Sequence, residues 1–230
     1  MALMKSKDIP EDAVVIDEIE ATEYVWNMVS DWDSLSDTWA LKYAPTILGG
    51  INAVCGIMIN RHFRNKVKLG PYGYYASVIP ISIMPGLLTV LFHRHSESSV
   101  LALLCILTYL ISTDLLLMKN QACPLCYEVR SAAIQTTFGI AYPMVLGPTS
   151  ALMFAHRYAT FRVPDLREGP KVIFNFVKKL TRPFNNTLTV MLIGQVVASS
   201  IFTYYEMTNN LTIRGKMMEI EANLEKQKQE

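Results

Sequence analysis

A chain of 230 residues that is 51% hydrophobic, only 18% charged and of mean hydropathy +0.23 is too apolar for an ordinary soluble domain. Its net charge of +1 says nothing about partners, because that value is the sum of opposite blocks. Residues 1–44 carry three Lys against ten acids, 61–68 carry four Lys or Arg and no acid, and 157–182 carry seven against two.

Residues 1–43 read as an acidic tail, partly an amphipathic helix. In "AVVIDEIEATEYVWNMVSDW", Val15, Ile19, Trp26 and Val29 fall on one helical stripe with acids over the remaining surface. Such a helix is a poor ligand for anionic lipid head groups, so a protein partner is expected for it. The tail lacks the basic start of a secretory signal and the Arg-rich, acid-poor character of a mitochondrial presequence. Any targeting information is therefore expected to be internal.

Residues 44–206 read as a transmembrane helical domain. Apolar runs near 44–60, 75–92, 99–118, 131–156 and 187–205 each approach the roughly 17–25 residues that a spanning helix needs. The first reads "ILGGINAVCGIMIN". Its Gly49, Ala53 and Gly56 share one helix face, where small residues let a neighbouring helix come close, and Asn52 and Asn60 add amides able to bond across it. That face suits either a tight crossing within the bundle or docking of another membrane protein. Pro80 and Pro85 in the second run, and Pro143 and Pro148 in the fourth, predict kinks or breaks. The third run carries Asp114; one such charge, with no repeat and no second charge, is thin support for transport. The fifth repeats the small-residue theme with Gly194 and Ala198 beside Gln195.

Before the fourth run stands "KNQACPLCYEVRS". A helix starting near Tyr127 would favour the thiolate of Cys123 or Cys126. Zinc needs four ligands, and no second Cys or His pair stands at finger spacing; His93 and His95 would serve only if the connector folded back. A disulfide clamping the helix end, a redox pair and free thiols all remain open. Cys55 and Cys105, inside apolar runs without a basic neighbour, read as inert packing residues. Residues 207–230 form a charged helical tail with Met217, Ile220 and Leu224 spaced by three and four. The chain shows no glycine-rich phosphate loop, nucleophile elbow or His/carboxylate metal motif, so no catalytic residue, metal or cofactor is expected, and no nucleic-acid partner.

The charge blocks decide among topologies. Basic short loops stay on one side of a membrane. If all five runs span, the two basic connectors fall on opposite sides; if four span, they share one face, with both tails and the Cys pair on the other. The expected fold is an all-α integral membrane protein of about four transmembrane helices, with five as the alternative and amphipathic helical tails.

Several of these residues, in this order, resemble the transmembrane protein 126 family. They are Asn52, Ala53, Cys55, Gly56, Asn60, Phe63 and Arg64 of "INAVCGIMINRHFRNKV", then Cys123, Cys126, Arg130 and Ser131, then Tyr142 and Pro143, then Arg157 and Tyr158. Pro183 and Gln195 match less closely. The resemblance covers roughly 45–210. It implies a multi-pass protein of the mitochondrial inner membrane that helps assemble the membrane arm of respiratory complex I, as a chaperone-like partner of its membrane subunits and other assembly factors and not as an enzyme. The apolar stretch "SESSVLALLCILTYL" departs from the family, whose connector is short there. If the basic connectors face the matrix, Cys123 and Cys126 face the intermembrane space, where a disulfide between them is expected. The alternative is a membrane thiol oxidoreductase that uses Cys123 and Cys126. It lacks a second exchanging pair on the same face.

Overall fold

The computed structural model of the chain describes residues 18–94, 124–164 and 169–229. The third apolar run with Asp114 lies outside these residues, as does Cys123. Among the described residues there is no strand. The expected all-α architecture is what the chain adopts, in the order α1 (Glu18–Ser30), α2 (Leu35–Lys66), α3 (Tyr74–Val78), α4 (Met84–Arg94), α5 (Pro124–Thr136), α6 (Tyr142–Tyr158), α7 (Pro170–Thr181) and α8 (Asn185–Gln229). Three stretches are long and apolar enough to cross a membrane: Leu35–Lys66, Tyr127–Tyr158 and Lys171–Ile220. Tyr74–Val90 is a shorter apolar helix.

The expected proline breaks take a milder form. One π-helical turn, Ile79–Ile83, joins α3 to α4, and another, Thr137–Ala141, joins α5 to α6. In each, the closing amide reaches five residues back: Met84 N–H to Ile79 O, and Tyr142 N–H to Thr137 O. Pro85 and Pro143 each follow one residue later, so the widened turn removes the clash between the proline ring and the preceding turn without ending the helix. Inside a bilayer this matters, because a broken helix would leave backbone groups with no water to bond.

The chain divides into two compact units, one of residues 46–91 and 132–199, the other of 1–45, 92–131 and 200–230. The first holds an apolar core around Ile59, Phe63, Val67, Leu69, Phe154 and Ala155. At one end of this unit the two basic connectors meet. Thr160 Oγ1 donates to Val67 O at 3.2 Å, and a ring nitrogen of His62 lies 3.2 Å from Leu180 O while the ring stacks on Phe184. That shared end is what the four-span reading of the charge blocks requires.

The second unit joins the two ends of the chain. Val29 of α1, Leu41 of α2, Tyr127 of α5 and Ile213 of α8 form its core, flanked by Val25, Trp32, Met207 and Met217. Trp39 sets its ring against Phe202 and Tyr205, Lys42 Nζ donates to Ser30 O at 3.0 Å, and Lys216 pairs with Asp37. Val29, from the apolar stripe of the acidic helix, thus finds cover within its own chain, on Leu41, Tyr127 and the far part of α8, while Val15 of that stripe lies outside the described residues. Burial sustains this clasp more than charge does, since Lys216 is half exposed and exposed pairs contribute little. Ile213→Ala is expected to weaken it by about 2–5 kcal/mol. Limited proteolysis in detergent should then cut both terminal segments faster, whereas Asp37→Asn should leave the digestion pattern nearly unchanged.

Candidate functional site

Apolar helices in lipid gain nothing from burying more apolar surface, so close packing and polar contacts must hold them together. The first unit shows both. Gly49 on α2 lies against α4: a Cβ there would stand 2.7 Å from Gly86 O and 2.6 Å from Val90 Cγ2. Gly56 is as close to the π turn, at 2.6 Å from Ile81 O, and a Cβ on Gly86 would meet Ala53 Cβ at 3.2 Å. The face of Gly49, Ala53 and Gly56 is therefore filled by the chain's own second apolar helix. Asn60 on the same helix donates to Ser77 Oγ at 3.2 Å.

Between these close approaches runs a buried chain of amides. Asn52 Nδ2 donates to Thr89 Oγ1 at 2.7 Å and to Gln135 Oε1 at 3.3 Å. Gln135 Nε2 donates to Leu48 O at 3.0 Å and to Gln195 Oε1 at 2.9 Å, and Gln195 Nε2 to Cys55 Sγ at 3.2 Å. Thr89 Oγ1 in turn donates to Pro85 O at 2.8 Å. One network thus ties α2, α4, α5 and α8 together, with Asn52, Thr89, Gln135 and Gln195 all buried. Gly139, in the second π turn, makes room for it. A Cβ at that position would overlap Asn52 Oδ1 and come within 2.5 Å of Gln195 Nε2.

The other residues singled out in the sequence are placed differently. Among the described residues Gly194 on α8 is exposed, with none of them within 4 Å of a Cβ built there, and Ala198 is half buried. Cys126 lies in the first turn of α5, which opens on Pro124, a residue pre-shaped for that position. Cys55, read as inert packing, is buried as expected and accepts a hydrogen bond. Gln135 and Gly139 were not singled out at all. An amide in the middle of an apolar run was the available signal for Gln135; nothing local marks Gly139.

A second polar assembly closes the end of α2. Arg64 is buried, and its guanidinium donates to four neutral oxygens: Gly73 O at 3.3 Å, Ser77 Oγ at 2.9 Å, and Gly70 O and Tyr72 O at 2.8 Å each. The Tyr74 ring lies 5.4 Å from its carbon. Arg64 thereby folds the turn that leads from α2 into α3.

Long apolar helices, proline-tolerant π turns, tight glycine crossings and a buried amide network define a polytopic α-helical membrane protein. The chain belongs to the transmembrane protein 126 family, whose pattern it matches over residues 23–222. It is 35% identical over 229 residues to Transmembrane protein 126 of Drosophila melanogaster, covering 99% of this chain and 96% of that one. No solved structure matches the chain.

The network makes ranked predictions. Gly139→Ala forces overlap at a packed crossing and should cost about 1–3 kcal/mol. Gln135→Leu removes the donor to Gln195 Oε1 and Leu48 O and an acceptor of Asn52, and should cost about 1–2 kcal/mol, since hydrogen bonds within membranes are individually modest. With Cys105, Cys123 and Cys126 replaced by serine, Cys55 labelling during a thermal ramp reports opening of the network. Both variants should label at lower temperature than the parent, Gly139→Ala at the lowest.

Proposed function

We propose that this protein is a non-enzymatic assembly factor of the mitochondrial inner membrane. It serves as a chaperone-like scaffold for the membrane arm of respiratory complex I, acting through helix–helix contacts with membrane subunits and with other assembly factors. Membership of the transmembrane protein 126 family supports the class. The observation that carries the contact mode is the outward side of α8. Among the described residues its small-residue position Gly194 meets no side chain, whereas the equivalent positions on α2 are filled. A subunit helix seated at Gly194 and Ala198 would approach closely there, as small residues permit.

Orientation follows from charge. On this reading the end that gathers residues 61–68 and 157–182 faces the matrix. The helical run from Pro124 to Tyr158 is roughly 50 Å long, more than the ~30 Å hydrocarbon core, and so carries Cys126 to the intermembrane space. There Cys123 and Cys126 pair as a disulfide.

Gentle detergent extraction of mitochondria, native gel separation and identification of co-migrating proteins test the reading. Complex I membrane subunits should travel with the protein; migration as a free small oligomer without any respiratory-chain subunit would overturn it. Gly194→Leu should reduce that co-migration without lowering the thermal unfolding temperature, because the added side chain meets none of the described residues and leucine is the better helix former. Alkylation-shift assays on unreduced mitochondria should find Cys123 and Cys126 protected until reductant is added. Labelling of both without reductant would refute the pairing.

A further inference from the structure

The end of α2 holds a positive charge that, among the described residues, is oriented without an acidic partner. All four acceptors of the Arg64 guanidinium among those residues are neutral oxygens. Within residues 46–91 and 132–199 there are eleven Lys or Arg and only two acids, Asp165 and Glu168, a net charge of +9. Both acids fall outside the described residues. A largely desolvated cation with no counter-charge is costly, and the usual remedy is an anion.

Beside Arg64 lies an open cleft of about 320 Å³ between α2 and α3. Arg61, Arg64, Asn60 and Asn65 supply its polar wall, Ile57 and Val78 its apolar one, and among the described residues no acidic one lines it. One turn of α2 separates Ile57 from Arg61, so the cleft straddles the change from apolar span to basic connector. Phosphate groups of a bilayer lie at that depth. Asn60 adds an independent sign of a missing ligand: it is 1% exposed, and its Oδ1 has no hydrogen-bond donor among the described residues.

We propose that this cleft seats the head group of an anionic phospholipid of the phosphatidylglycerol type. Arg61 and Arg64 face the phosphate, a head-group hydroxyl donates to Asn60 Oδ1, and an acyl chain lies along Ile57 and Val78. Basic recesses between membrane helices are suited to such head groups, and a guanidinium matches phosphate geometry. The surrounding basic end raises the local concentration of anionic lipid, but the cleft supplies the selectivity. This site rests on the membrane-spanning fold and not on the assembly role proposed above.

The test uses the full-length protein in neutral detergent, titrated with phosphatidylglycerol or phosphatidylcholine of identical chains, with bound lipid counted by native mass spectrometry. Phosphatidylglycerol should be retained about tenfold more tightly, the ratio expected when one charged contact replaces a neutral one. Arg61→Gln, at an exposed position that the fold does not need, should bring it down to the phosphatidylcholine level. The double variant Lys178→Gln, Lys179→Gln removes as much or more basic charge from α7, outside the cleft, and should retain the preference. Four results would overturn the proposal: equal retention of the two lipids, an undiminished preference in Arg61→Gln, an equal loss in the lysine double variant, or displacement of the lipid by millimolar inorganic phosphate. The last would mark a site for the free anion.

Discussion

The amide network from Asn52 through Gln135 to Gln195 is the constraint on which the first unit turns. In water such side chains would be indifferent to where they bonded. In an apolar bundle each unpaired amide is costly, so the helices can adopt only those rotations and depths that bring the three together. The small residues follow from this requirement. Gly49 and Gly56 bring α4 and the π turn before it close enough for Thr89 to reach Asn52, and Gly139 leaves the space that the amides occupy. The π turns belong to the same design, because they let proline-containing helices pass through the bundle with their backbone bonds intact.

Charge operates on a different scale. The amide network sets how the helices meet, while the distribution of Lys and Arg sets how the bundle sits across a membrane. The unit of residues 46–91 and 132–199 carries +9; the rest of the chain, which supplies the terminal helices, carries −8, the two summing to the formal +1. A single overall number therefore conceals the most informative electrostatic feature of the molecule. Arg64 links the two scales: it shapes the α2–α3 turn by bonding backbone oxygens, and it leaves a charge at the membrane boundary.

Much of the fold was legible in the sequence for identifiable reasons. Run lengths gave the helices, since a bilayer fixes how long an apolar helix must be, and the basic blocks foretold the meeting of residues 67 and 160 at one end. Other features were hidden. Whether Pro143 would break, kink or merely widen its helix depends on the packing around Gly139, which no local pattern reveals. Gln135 looked like one polar residue in an apolar run, and only its position opposite both Asn52 and Gln195 makes it the centre of the network. The apolar stripe of the acidic helix α1 was legible as a face needing cover. That the cover is Ile213 and Met217 is a contact between the two ends of the chain, beyond the reach of periodicity.

The two small-residue faces show where sequence pattern stops and contact begins. Gly49, Ala53 and Gly56 on α2, and Gly194 and Ala198 on α8, carry the same spacing logic, and as sequence neither has a better claim to an external partner. Structure separates them, because a glycine face can serve an outside helix only if no inside helix already occupies it. α4 and the turn before it lie on the first face, to within 3 Å of where a side chain would begin; at Gly194 on the second no described residue lies within 4 Å. Lipid would cover a leucine at Gly194 as readily as a glycine, and a leucine would be the better helix former. A glycine in that setting costs helix stability and gains nothing from lipid contact, which is why the proposed docking of a subunit helix is assigned to α8 and not to α2.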